Sequence, residues 1–149
     1  MTLFVEIQDS EIAASISLTT ESGSGGNYSI LAQTSFSKLT LSFPSSPLNS
    51  SLSLNARTSL APVDVSLHPT YEGTFALDTS LILFGANVLV EEGVRDPAGE
   101  GRKRNVELRK GNGGGHIEGW VAWGDLEDGK GGSGNVKLET VLARANLRL

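Results

Sequence analysis

Cysteine is absent from the 149 residues, which removes disulfides, thiolate metal sites and thiol nucleophiles from any account of the chain. Histidine is nearly absent: His68 and His116 are the whole supply, so imidazole acid–base chemistry has two candidates. No Gly-x-Ser-x-Gly nucleophile elbow occurs. No apolar run is long enough to span a bilayer, and Met1-Thr2-Leu3-Phe4-Val5-Glu6 lacks the basic start and apolar stretch of a secretory leader. Those features lead us to expect a cytoplasmic protein without a membrane span. A net charge of −5 argues against nucleic acid as a partner. The charge is uneven, however. Residues 1–95 carry nine acidic and three basic residues, and residues 96–149 carry eight acidic and nine basic ones.

What the chain has instead is a phrase it repeats. Ile30-Leu31-Ala32-Gln33-Thr34-Ser35 returns as Leu54-Asn55-Ala56-Arg57-Thr58-Ser59, as Phe75-Ala76-Leu77-Asp78-Thr79-Ser80 and, more loosely, as Val136-Lys137-Leu138-Glu139-Thr140-Val141. Leu39, Leu41 and Phe43 follow Thr34 at the offsets at which Val63, Val65 and Leu67 follow Thr58, and Ala145, Leu147 and Leu149 follow Thr140. A phrase that recurs with its spacing intact is a supersecondary unit, each copy burying its apolar face on a neighbour.

Apolar and polar residues alternate through these units, which is the period of a half-buried strand. Fifteen serines between positions 10 and 59 suit exposed strand faces and turns rather than helices. Strands centred near Leu41, Leu54, Val65, Leu77 and Val88 are expected, with two strands in each unit of 24 residues. Pro44, Pro47, Pro62, Pro69, Gly73 and Gly85 fall between the runs. Within each phrase the threonine faces inward, where its hydroxyl is expected to satisfy turn amides, while Gln33, Arg57, Asp78 and Glu139 face outward. The expected fold is a single all-β domain over 1–149. Its repeated two-strand units form a β-solenoid or roll or, alternatively, an antiparallel β-sandwich. Residues 1–28 read as N-terminal strands and a flexible loop at Ser22–Asn27. Residues 91–134, with twelve of the eighteen glycines between Gly99 and Gly134, read as a hairpin insertion with strands at Val106–Leu108 and Ile117–Trp123.

Three runs carry a likeness to a known family: Ala61-Pro62-Val63 with Leu67-His68-Pro69-Thr70-Tyr71-Glu72-Gly73-Thr74-Phe75, then Asp96-Pro97-Ala98-Gly99-Glu100-Gly101-Arg102-Lys103-Arg104, then Gly119-Trp120-Val121-Ala122-Trp123. On them, the stretch from about Leu39 to Leu149 resembles an uncharacterised β-rich domain found in mushroom-forming fungi. The Thr-Ser repeat is similar to adhesin domains proposed to form β-helical stacks. The resemblance implies a β fold and no particular chemistry.

The segment Gly124-Asp125-Leu126-Glu127-Asp128-Gly129-Lys130-Gly131 has the spacing of a phosphate loop but not its physics: Gly131 replaces the metal-binding hydroxyl and three carboxylates would repel a triphosphate. Asp125, Glu127 and Asp128 read as a solvated turn rather than a calcium site, and no metal or cofactor is expected. Glu72, Asp78, Glu118 and Asp125 are available as carboxylates, with no pair preferred. Arg102, Lys103, Arg104, Arg109 and Lys110 read first as a charged hairpin protecting a sheet edge, and secondly as an anion site. Trp120 and Trp123 stand three apart, on opposite faces of a regular strand, so Trp123 is expected in the core and Trp120 at the surface, where its ring could stack on a sugar or a partner. The ligand-facing candidates are therefore Trp120, Arg102, Arg104, His116, Asp125 and Tyr71, with no catalytic residue assigned.

These readings favour a non-enzymatic binding or structural module, lectin-like or adhesin-like, with a glycan or protein partner. A small cofactor-independent enzyme using carboxylates or histidines on a sugar or other small molecule is the alternative. The apolar alternation of Ala145-Asn146-Leu147-Arg148-Leu149 predicts a strand that is either central to a sheet or paired with another chain, and a homodimer is expected.

Overall fold

The period-two alternation does produce strands, and their burial follows it: in Leu39–Ser45 and Gly73–Thr79 buried residues alternate with more accessible ones. The computed structural model describes residues 2–7, 10–80, 85–113, 115–124 and 132–149, with the backbone alone for 3–7 and 24. In chain order the strands are β1 (Thr2–Ile7), β2 (Ile12–Ser17), β3 (Ser24–Thr34), β4 (Leu39–Ser45), β5 (Leu48–Arg57), β6 (Val63–Ser66), β7 (Gly73–Thr79), β8 (Ala86–Leu89), β9 (Arg104–Lys110), β10 (His116–Trp123), β11 (Gly134–Thr140) and β12 (Ala145–Arg148). No helix occurs among the described residues, and hence none long and apolar enough to cross a membrane.

Successive strands alternate between two sheets, except that β9, β10 and β11 all lie in the larger one. One has seven strands in the order β1-β3-β5-β11-β7-β10-β9, the other five in the order β2-β4-β6-β12-β8. Repeats pair in parallel: Leu39 lies opposite Val63 and Leu41 opposite Val65, while Ile30 lies opposite Leu54. Only β10 pairs antiparallel, with β7 and with β9, so neither an all-parallel nor an all-antiparallel description fits the larger sheet. The expected hairpin insertion is this β9–β10 ladder, and β9 forms the edge of the seven-stranded sheet.

The repeat phrase lies in register across the larger sheet. Ile30, Leu54, Val136 and Phe75 form one inward row, and Ala32, Ala56, Leu138 and Leu77 the next. Leu41, Val65 and Leu147 do the same in the smaller sheet. All join one buried core between the two sheets. Thr34, Thr58, Thr79 and Thr140 are all buried at strand ends. Their hydroxyls act differently from the sequence expectation: Thr58 and Thr140 donate to the Ala61 carbonyl and Thr79 to that of Gly115. The turn groups turned inward at these three corners are carbonyls, so Thr58, Thr79 and Thr140 serve as donors, while the buried Thr34 hydroxyl has no partner among the described residues.

Two features depart from the sequence reading. The glycine-rich stretch Ser24–Asn27, expected as a loop, is the start of β3, because β5 offers it a parallel partner from Leu48 to Ser51. The last unit, β11 and β12, does not stack at the end of the chain's own order; it enters between β5/β6 and β7/β8. Residues 67–72 carry the chain past that level. At the crossing Gly73 has φ +150° and meets Gly134 so closely that an added Cβ would lie 2.1 Å from the Gly134 carbonyl oxygen, leaving room there for glycine alone. The C-terminal strand is thus central, between β6 and β8.

Candidate functional site

Alternation has a second consequence: the outward residues of the larger sheet also form rows. On β10 these are His116, Glu118 and Trp120; opposite them on β7 stand Asp78, Ala76 and Thr74, and on β9 Glu118 faces Arg109 and Trp120 faces Glu107. On the far side of β7, Asn135, Lys137 and Glu139 continue the rows. Ala76 is small and its neighbours are long, so the surface sinks there. The result is a shallow groove of about 380 Å³ lined by Thr74, Phe75, Ala76, Glu107, Arg109, Glu118, Gly119, Trp120 and Asn135.

Trp120 is partly exposed and donates its indole N–H to Glu107 Oε2 at 3.1 Å, which fixes the ring's orientation. Asn135 donates to the Thr74 hydroxyl at 3.0 Å. Arg109 stands 3.5 Å from Glu118. His116 completes the row: its Nδ1 is 2.5 Å from Asp78 Oδ1 and its Nε2 3.5 Å from Glu118 Oε2. The hydrogen bond to Asp78 raises the His116 pKa above its ordinary value, with Glu118 adding to the effect.

Of the ligand-facing residues expected from the sequence, Trp120 lines the groove and His116 stands on the same strand face beside Glu118. The others lie elsewhere. Tyr71 is 6% exposed, and its hydroxyl donates to the Thr74 carbonyl; burial pushes its phenol pKa up, and it is a core residue beneath the Gly73–Gly134 crossing. Arg102 is held by Asp96, whose carboxylate accepts from the guanidinium at 2.9 and 3.2 Å and from the backbone N–H groups of Ala98, Glu100 and Arg102. These hydrogen bonds, the Arg102 guanidinium's foremost, hold Asp96 well below the usual carboxylate range; the pair closes a loop and leaves Arg102 little capacity for an external anion. Arg104 is turned inward, its guanidinium 5.9 Å from the Trp123 ring centroid. Its nitrogens are buried without a hydrogen-bond partner among the described residues, and burial lowers its pKa. The basic cluster therefore does not converge: alternation along β9 sends Arg104 and Arg109 to opposite faces. Asp125 and, apart from Gly124, the rest of the phosphate-loop-like run to 131 lie outside the described residues.

Trp123 is 8% exposed and donates its indole N–H to the Pro69 carbonyl, as its inward phase predicts. His68 caps its loop, Nδ1 accepting the Thr70 N–H at 3.2 Å, and burial lowers its pKa. Among the described residues no group of three His, Asp or Glu is placed to hold a metal ion.

Sequence reading missed Glu107, Asn135 and Thr74. Glu107 was within reach, since a turn centred near Gly113 pairs Trp120 with it. Asn135 and Thr74 were not, because they meet only through the insertion of β11 beside β7. Comparison with protein-family models, with curated proteins and with solved structures gave no match.

Proposed function

We propose that the chain is a short β-solenoid serving as a non-enzymatic carbohydrate-binding module, lectin-like, with the outer groove of the seven-stranded sheet as its site. Parallel pairing of repeats in both sheets supports the solenoid. The observation that carries the binding reading is the partly exposed Trp120, oriented by Glu107 and set among Asn135, Glu118, Arg109 and Thr74. An aromatic face covers the apolar face of a sugar ring, while carboxylates, amides and a guanidinium exchange hydrogen bonds with its hydroxyls. The groove is open and shallow, which suits a chain passing over it better than a small substrate enclosed for reaction. A glycan array tests the reading: binding to a defined glycan should fall at least tenfold in Trp120→Ala, and an array without any binder removes it.

The enzyme reading rests on one observation, His116 bridging Asp78 and Glu118, an arrangement able to move a proton. Turnover of a glycoside that His116→Ala abolishes would establish it over the binding reading. A homodimer would form through the exposed apolar turn residues Phe36, Leu60, Val141 and Leu142, whose turns are tied by hydrogen bonds from Leu60 to Ser35 and from Leu142 to Ser59. A strictly monomeric species across a wide concentration range would remove that part.

A further inference from the structure

The outer face of the larger sheet is a ladder of paired charges with one rung incomplete. Glu139 lies 2.8 Å from Lys137 and 4.0 Å from Arg57. Asp78 has His116, and Glu118 has both His116 and Arg109. Glu107 alone in these rows has no cation among the described residues; its side-chain partner there is the neutral indole N–H of Trp120, which occupies Oε2. Its second oxygen remains available at the rim of the groove, next to the indole ring. A carboxylate beside an aromatic ring is the arrangement that attracts an ammonium group, through an ion pair and through the ring's negative face.

Resting on the carbohydrate reading above, we propose that the groove selects sugars carrying a free, protonated amine, that is, unacetylated amino sugars in a chain, with the ammonium held between Glu107 and Trp120. The neighbours favour a sugar over a lysine side chain. The Asn135 carbonyl oxygen, the Thr74 hydroxyl and Glu118 extend hydrogen-bonding capacity along the groove beyond the reach of a single ammonium. Acetylation removes the charge and adds bulk at the point where Glu107 stands, so it should weaken binding.

The test is calorimetric titration of the full chain, near pH 6, with an oligomer of glucosamine, its N-acetylated counterpart, a neutral glucose oligomer and a lysine-rich peptide. The glucosamine oligomer should bind about tenfold more tightly than the acetylated one, as expected for one exposed ion pair with a cation–π contact. Glu107→Gln, whose amide oxygen can still accept from the Trp120 N–H, should erase that preference while retaining the weaker binding of the acetylated oligomer. Trp120→Ala should abolish both. Equal binding of the two oligomers, or a preference that survives Glu107→Gln, would overturn the amine assignment while leaving the carbohydrate reading intact. Binding of the peptide with no oligomer bound would overturn both.

Discussion

The central position of the C-terminal strand makes Leu147 a sharp probe of the fold. Leu147 is 1% exposed and lies opposite Val65 on one side and Val88 on the other. Replacing it by alanine removes three buried carbons, about 2.4 kcal/mol of transfer free energy at roughly 0.8 kcal/mol each. The hole closes little, because β6 is anchored by its ladder with β4 and β8 packs against β7 and β10 of the facing sheet, so a cavity cost brings the loss to about 3–4 kcal/mol. Against a total stability of about 5–15 kcal/mol, that lowers the midpoint of thermal unfolding by about 10 °C. Urea unfolding followed by tryptophan fluorescence measures the loss directly. Leu89, 49% exposed on the edge strand β8, is the control, and its alanine variant should stay within about 0.5 kcal/mol of the parent. A loss below about 1 kcal/mol for Leu147→Ala, with an unchanged denaturant slope, would refute the central placement of β12. Deleting Ala145–Leu149 should abolish soluble expression for the same reason, and a well-folded truncated protein would be equally damaging.

The two histidines should titrate apart when followed by NMR, His116 above its ordinary value of 6.5 and His68 below it. Coincident titrations would contradict the Asp78–His116 contact or the burial of His68. Their linkage to stability has opposite signs: the contribution of His116 is full below about pH 6.5 and is lost as pH rises through its raised pKa, whereas that of His68 is present above about 6.5 and is lost as pH falls through its lowered one. Gly73→Ala should destabilise strongly or prevent folding, since the new Cβ meets the Gly134 backbone and the φ is unfavourable for an L side chain; a variant as stable as the parent would mean the crossing is loose. Asp96, its side chain 3% exposed, anchors three backbone N–H groups and Arg102, so Asp96→Ala should speed tryptic cleavage at Arg102, Lys103 and Arg104, with unaltered cleavage speaking against the anchor.

The sequence by itself determined the local units. Apolar alternation set which side of each strand is buried, the repeated phrase put Thr34, Thr58, Thr79 and Thr140 at equivalent strand ends, and the odd separation of Trp120 and Trp123 sent one ring outward and the other into the core. Those features depend on periods of two and on neighbours in the chain, which are visible in one dimension. The order of the units was decided only in three dimensions. Nothing in the spacing says that β11 and β12 enter between β5/β6 and β7/β8, because any copy of the phrase can pair with any other, and the choice falls to the glycine crossing at Gly73 and Gly134 and to the hairpin β9–β10 that closes the other side of β7. The groove follows that choice: Trp120 and Glu107 are brought together by a hairpin turn, but Asn135 and Thr74 join them only because β11 packs against β7.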